Sequence, residues 1–271
     1  MHTVTSSAGA PLSYRVFGGG PTTVILVHGW MVSGAVYEDL IDALGVSRED
    51  PRLTLTKDRI RLVIPDLRGA GKSDKPESGY TIAQYAEDVL AVADAVQAKS
   101  FVVVGHSMGG QIAQWIAATS PDRVRGAILL CPVPAGGMPL PEDAKALFRG
   151  SGQNRQLQGT ILGLACKDLS DASRERMLDD AAGVPVACIQ QAFDAWTAGG
   201  FADKLGSIRA PTLVVATDDP FLTPDFLRSQ IVSHIPRADL VYLPGAGHYV
   251  QVERPRETAA VIRAFLTALG E

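Results

Sequence analysis

The chain has few of the features that would link it to a metal or a membrane. Its 271 residues include only three cysteines, Cys131, Cys166 and Cys188, and these form neither a CxxC pair nor a cluster with histidine. The pattern predicts small, reduced core residues, and no metal site is assigned. No apolar run approaches the roughly 20 residues that a membrane-spanning helix needs.

Charge and the first residues exclude further classes. The formal net charge is −4 and the isoelectric point about 5.8, with no basic tract to neutralise phosphates. The opening stretch MHTVTSSAGAPLSYR lacks the basic and apolar regions of a signal peptide. We therefore expect a cytoplasmic protein that acts on a small molecule, with neither nucleic acid nor membrane as a partner. The oligomeric state is not readable from the sequence.

Short apolar runs predict the strands of a buried parallel sheet. Runs rich in Val, Ile and Leu, without polar alternation, occur at 23–27, 61–66, 101–105, 126–131, 212–217 and 240–244. Two alternating stretches, at 3–5 and 12–17, predict an antiparallel hairpin. Between the later runs lie segments with helical periodicity, in which apolar residues recur every three or four positions, as at Ile82, Tyr85, Val89 and Val92. This alternation predicts an α/β fold with helices on both faces of the sheet.

One segment interrupts the alternation. From 132 to 209 no run predicts a strand, whereas helical pieces occur at 141–149, 171–182 and 186–198. We predict a core domain formed by residues 1–131 and 210–271, with a helical cap, 132–209, inserted into it. The long stretch at 45–60 receives no functional assignment.

The sequence Gly105-His106-Ser107-Met108-Gly109 lies where the run at 101–105 meets a small-residue helical pattern. A serine between such glycines is typical of a nucleophile elbow, a strained strand-to-helix turn that exposes the hydroxyl. The following helix N-terminus offers unpaired N–H groups to a developing negative charge. We predict Ser107 as the nucleophile.

A serine nucleophile needs a base, and the chain has five histidines. His2 lies near the terminus, His28 ends an early strand, His234 follows a helical stretch, and His106 should point away from Ser107. His248 lies on a glycine-rich loop after the last strand, where it can reach a site at the carboxyl edge of the sheet. We predict His248 as the base.

The acid that orients the base should follow the preceding strand, in TLVVATDDPFLTP. Asp218 and Asp219 both occur there. Asp219 is favoured because Pro220 stiffens the turn after it, while Asp218 stays the alternative. For the oxyanion hole we predict the backbone N–H groups of Met108 and Trp30, with Met31 in reserve for Trp30.

These stretches together resemble the α/β-hydrolase superfamily. The resemblance runs over nearly the whole chain, through HGW, PDLRGAGKSDKP, GHSMGGQIA, DDPFLTP and GAGHYVQVERP. Within the superfamily the chain is similar to small bacterial serine esterases and cofactor-free haloperoxidase-like hydrolases. The resemblance implies an eight-stranded, mostly parallel sheet, a helical cap, Ser107, Asp219 and His248 as the triad, and no cofactor.

The favoured function is hydrolysis of a carboxylic ester with a small to medium, largely apolar acyl or alcohol part. The predicted pocket residues are Met31, Phe148, Trp196, Phe221 and Tyr249. Carbon–carbon bond hydrolysis, lactone hydrolysis or cofactor-free oxygenation with the same His248–Asp219 pair is the alternative. Some of these reactions would need basic cap groups for an acidic substrate. A ligand receptor with the hydrolase fold is a third possibility.

Overall fold

Eight strands form one sheet in residues 1–48 and 59–270, which the computed structural model describes. The strands are β1 (His2–Thr5), β2 (Pro11–Phe17), β3 (Thr22–Val27), β4 (Ile60–Pro65), β5 (Phe101–His106), β6 (Val124–Leu130), β7 (Thr212–Ala216) and β8 (Ala238–Tyr242). Their order in the sheet is β1-β2-β4-β3-β5-β6-β7-β8. The β1–β2 and β2–β4 pairs are antiparallel and the others are parallel, so the predicted fold class is confirmed.

The central strands of the sheet consist of apolar residues, as their burial requires. Val24–Val27 in β3 and Phe101–Val104 in β5 are completely buried, because helices cover both faces. Register pairs Val24 with Val102 and Val27 with Gly105, so β3 and β5 end side by side. The loops after these strands therefore meet at the carboxyl edge of the sheet.

The helices alternate with the strands, apart from one group. In the described residues the α-helices are α1 (Glu38–Leu44), α2 (Ile82–Ala95), α3 (Met108–Thr119), α4 (Glu142–Arg149), α5 (Arg155–Ala165), α6 (Asp171–Ala182), α7 (Val186–Ala198), α8 (Pro224–Gln230), α9 (Val250–Glu253) and α10 (Pro255–Ala268). Short 3₁₀ turns lie at Gly34–Tyr37, Pro121–Arg123, Ala202–Ser207 and Val232–His234. None of the described helices has the length and apolar character to cross a bilayer.

Helices α4 to α7 occupy the segment between β6 and β7 for which a cap was predicted. Three of them match the predicted helical pieces, whereas α5 was not predicted. The sequence of α5 contains Gly159 and Gly163, which lower helix propensity. Asn154 caps its first turn by accepting from Leu157 N, and the buried Ile161 and Leu162 hold it against its neighbours. Tertiary packing thus outweighs local preference in α5.

One predicted feature lies outside the described residues. The stretch at 45–60 includes residues 49–58, for which the structure gives no description. Its two ends lie at Gly45, which closes α1 with a left-handed conformation, and at Ile60, where β4 begins.

Candidate active site

The elbow at Ser107 has the strain that its sequence predicts. Ser107 has φ 56° and ψ −120°, between the end of β5 and the start of α3. A Cβ at Gly105 would lie 2.2 Å from Gly109 O, and one at Gly109 would lie 2.2 Å from Val27 O. Real Cβ atoms do not approach backbone atoms so closely, so both positions require glycine. The turn places Ser107 at the N-terminus of α3, where backbone N–H groups lack helical partners.

His248 and Asp219 form a direct pair. The Nδ1 atom of His248 lies 2.5 Å from Oδ2 of Asp219, whose side chain is completely buried. The other carboxylate oxygen of Asp219 accepts from Phe221 N at 2.8 Å and from Leu222 N at 3.3 Å. Because Nδ1 donates to the carboxylate, Nε2 of the neutral ring is the atom that can accept a proton.

Asp218 has different partners, so the preference for Asp219 agrees with the observed pairing. Its carboxylate accepts from the Tyr242 hydroxyl, from Lys167 Nζ at 3.0 Å and from Gly245 N at 3.1 Å. The hydrogen bond from Tyr242, followed by that from Lys167, lowers the pKa of Asp218 to about 2. Asp218 therefore ties the loop after β8 to the segment that follows α5.

Ser107 and His248 line the same cavity. The rest of the wall is apolar or aromatic: Val133, Met138, Leu140, Ile161, Ala165 and Leu222, with Trp30, Phe148, Trp196, Phe221 and Tyr249. Four of the five predicted pocket residues thus belong to it. The fifth, Met31, does not; it is buried at a turn with φ 68° and lines a second, small pocket.

Four aromatic rings, which we call the aromatic cluster, join the loop after β3 to the cap helices. They are Trp30, Phe148, Phe193 and Trp196, with ring centroids between 5.0 and 6.3 Å apart. Trp30 also donates from Nε1 to Ile189 O at 2.9 Å. Such ring pairs contribute about 0.5–1.5 kcal/mol each beyond their burial. Trp30, one of the residues predicted for the oxyanion hole, therefore also joins the loop after β3 to helices α4 and α7.

The loop after β3 is fixed by a buried histidine. His28 accepts from Leu67 N at 2.9 Å through Nε2, and its Nδ1 donates to Gly29 O at 2.8 Å. Burial lowers the pKa of His28, which keeps the ring neutral and able to accept. Within the described residues, the N–H groups of Trp30 and Met108 donate to no acceptor. Both predicted oxyanion donors are thus unpaired.

Sequence reasoning missed the contribution of two side chains near His248. His106 was expected to point away from Ser107 and received no role; its ring centroid lies 4.9 Å from that of His248. Its Nε2 donates to the His248 carbonyl at 2.9 Å, and burial lowers its pKa well below the ordinary value. Glu253, at the end of α9, bonds the loop that carries His248. His106 and Glu253 both lie in stretches that carry the resemblance, GHSMGGQIA and GAGHYVQVERP, but neither stretch indicates what the side chain contacts.

Comparison with known proteins shows which family this chain belongs to. A family model described as alpha/beta hydrolase fold matches residues 22–255. A non-heme chloroperoxidase of Streptomyces lividans is 33% identical over 138 residues, which are 49% of this chain and 45% of that protein. A 2-(acetamidomethylene)succinate hydrolase of Mesorhizobium japonicum is 28% identical over 280 residues, covering 95% of this chain and 92% of the relative. The solved structure of Est816, described as an N-acyl homoserine lactone degrading enzyme, has a TM-score of 0.77 and 29% identity over 97% of this chain and all of the other.

Proposed function

Since the chain belongs to the α/β-hydrolase-fold family and is an enzyme, we propose that it is a serine hydrolase that cleaves a carboxylic ester through an acyl-enzyme on Ser107. The observation that carries the proposal is the meeting of the strained Ser107 elbow and the His248–Asp219 pair at one apolar cavity. A hydroxyl at its ordinary pKa needs such a base to become nucleophilic.

The proposed reaction assigns one role to each group. His248 Nε2 takes the Ser107 proton as the oxygen attacks the ester carbonyl, and Asp219 stabilises the imidazolium. The N–H groups of Trp30 and Met108 hold the oxyanion. The proton then passes to the leaving alcohol, and a water activated by His248 releases the acid. The unpaired state of both N–H groups supports their part in this scheme.

The cavity favours an uncharged substrate. Of the described residues that line it, none is Asp, Glu, Lys or Arg. None of the basic side chains of the segment 132–209 lines the cavity, and seven of the eight bind elsewhere: Lys145 to Glu142, Arg149 to Asp194, Arg155 to Glu175 and Asp179, Lys167 to Asp218, Arg174 to Gly159 O, Arg176 to Asp39 and Arg209 to Asp122. A carboxylate in this cavity would therefore lack a counter-ion. We propose esters with apolar acyl or alcohol parts as the substrate class.

Lactone hydrolysis is the second proposal, because a lactone is a cyclic ester and the same groups would open it. The similarity to Est816 over the whole chain favours this variant. Carbon–carbon bond cleavage and cofactor-free oxygenation, in which His248 acts on the substrate's own proton, receive less support from an uncharged wall. Comparing p-nitrophenyl esters of rising acyl length with lactones of rising side-chain length would rank the ester and lactone variants.

Replacing the nucleophile tests the proposal. We expect Ser107→Ala to lower kcat for p-nitrophenyl butyrate by at least about 10⁴-fold and to abolish labelling by a fluorophosphonate. Ser120→Ala, just after the other end of α3, is the matched control and should keep both. Turnover that persists in Ser107→Ala but is lost in His248→Ala would instead favour chemistry on the substrate's own proton.

A further inference from the structure

Glu253 is a buried carboxylate outside the cavity that the proposed reaction does not use. It is the last residue of α9 and is 7% exposed. In the described residues no cationic side chain binds its carboxylate, whose partners are all backbone N–H groups. A buried carboxylate is costly unless hydrogen bonds replace its water, so these contacts need an explanation.

The contacts of Glu253 fall on both sides of the catalytic imidazole. Oε2 accepts from Gly247 N at 2.9 Å, and Oε1 accepts from Tyr249 N at 3.2 Å. One carboxylate therefore binds the residues immediately before and after His248. These two hydrogen bonds fix the direction of the backbone that carries the imidazole.

The same carboxylate also binds the cap segment. Oε2 accepts from Lys167 N and from Asp168 N, both at 2.8 Å, in the turn after α5. A separate bond joins the two parts, since His248 N donates to Ala165 O at 2.8 Å. Gly247 allows this approach, because a Cβ there would lie 2.3 Å from Ala165 O. The loop after β8 and the turn after α5 thus share one buried acceptor.

We infer that Glu253 is a positioning residue, which holds the histidine loop (243–249) and the cap turn (165–168) as one unit and so sets the placement of His248 against Ser107. The inference rests on the proposed function. It assigns to the cap a part in catalytic geometry, since a cap turn that moves carries the His248 backbone with it. Misplacement of a catalytic group by about 1 Å costs on the order of 100-fold in rate.

Glu253→Gln tests the inference with the full-length protein. Glutamine has the shape of glutamate, but an NH₂ group replaces one carboxylate oxygen. That group faces a backbone N–H and cannot accept a hydrogen bond from it. We expect kcat for p-nitrophenyl butyrate to fall by about 10- to 100-fold, with KM changed by less than about 3-fold, because Glu253 does not line the cavity. Glu257→Gln, an exposed position on α10, is the matched control and should change neither value.

Fluorophosphonate labelling separates positioning from simple loss of folded protein. The endpoint counts folded sites, while the rate reports how well His248 activates Ser107. We expect Glu253→Gln to reach one label per chain at a rate lowered by the same factor as kcat. An endpoint lowered in proportion to activity, with unchanged kcat per labelled site, would overturn the inference, as would unchanged kinetics. Absence of Ser107 labelling in the unsubstituted protein would instead reject the proposed function, and the inference with it.

Discussion

Ser107, the proposed nucleophile, and His248, the proposed base, line one cavity but are held by different kinds of contact. The Ser107 carbonyl accepts from Gly110 N and Gln111 N, three and four residues on, and from Val133 N at 3.0 Å, while Gly109 packs on the neighbouring strand β3. The His248 loop depends on Glu253, on Asp219 and on Ala165, the last of which lies in the cap segment. The elbow is held mainly by its neighbours in sequence and by strand β3, whereas the histidine loop is held in part by the turn after α5. Changes in that turn should therefore alter the position of His248 more than that of Ser107.

Gly109→Ala should show the largest effect, because it disturbs the packing of the Ser107 elbow on strand β3. The new Cβ would lie 2.2 Å from Val27 O, and neither β3 nor α3 can move without disturbing the sheet. We expect the free energy of unfolding to fall by about 1–3 kcal/mol and kcat to fall by at least about 100-fold. Thermal or urea unfolding and ester hydrolysis measure the two quantities.

Gly206→Ala is the control for that substitution, since a Cβ added at this position on the exposed 3₁₀ turn would meet nothing within 4 Å. It should leave activity unchanged and alter the free energy of unfolding by less than about 1 kcal/mol. A Gly109→Ala protein as active and as stable as this control would contradict the account of the elbow.

Gly247→Ala applies the same change to the histidine loop and should have an intermediate effect. Its Cβ would lie 2.3 Å from Ala165 O, but this neighbour ends helix α5 and does not belong to the sheet, so we expect it to shift at a lower cost than β3. We expect kcat to fall by about 10- to 100-fold while the free energy of unfolding falls by only about 1 kcal/mol.

The control is Gly136→Ala, whose Cβ would meet only Ala202 Cβ at an ordinary 3.7 Å. Stability and activity should both stay at the level of the unsubstituted protein. If Gly247→Ala lost as much unfolding free energy as Gly109→Ala, the distinction between a rigid elbow and a yielding loop would not hold.

Asp218→Asn should have the smallest effect, and a pH-dependent one. Because the folded-state pKa of Asp218 is lowered to about 2, its stabilisation is present above the ordinary value near pH 4 and is lost as the pH falls toward 2. At pH 7 we expect the substitution to lower Tm by at most about 2 °C, since the Lys167 contact is exposed. Thermal unfolding at pH 7, 4 and 3 checks this. A Tm difference that grows on acidification would contradict the assigned role.

Much of the fold was predictable because buried strands and helices have recognisable patterns of apolar residues. The eight strands lie where apolar or alternating runs occur, and α6 and α7 have the predicted bounds. Helix α5 was missed because its glycines lower the helix propensity of the segment, whereas packing on neighbouring helices stabilises it. Met31 was assigned to the wrong pocket because a left-handed turn one residue after Trp30 cannot be read from the residue type alone.

The candidate site divides in the same way. Ser107 was predicted from its neighbours because the elbow's geometry requires glycines at fixed spacing. The preference for Asp219 over Asp218 had a local reason, the following proline, and the pair's 2.5 Å contact agrees with it. Neither His106 nor Glu253 could be assigned a role, although both lie in stretches that carry the resemblance, because each binds backbone atoms of the histidine loop that come within reach only in the folded chain.

The sequence alone determined the sheet, the elbow and the residue types available for catalysis, because strand burial and tight turns constrain neighbouring residues. Only the tertiary structure decided which carboxylate meets His248, that the cavity wall carries no charge, and that one buried glutamate joins the histidine loop to the cap. Those contacts connect residues tens of positions apart, and their energies depend on distance and burial, which exist only after the chain has folded.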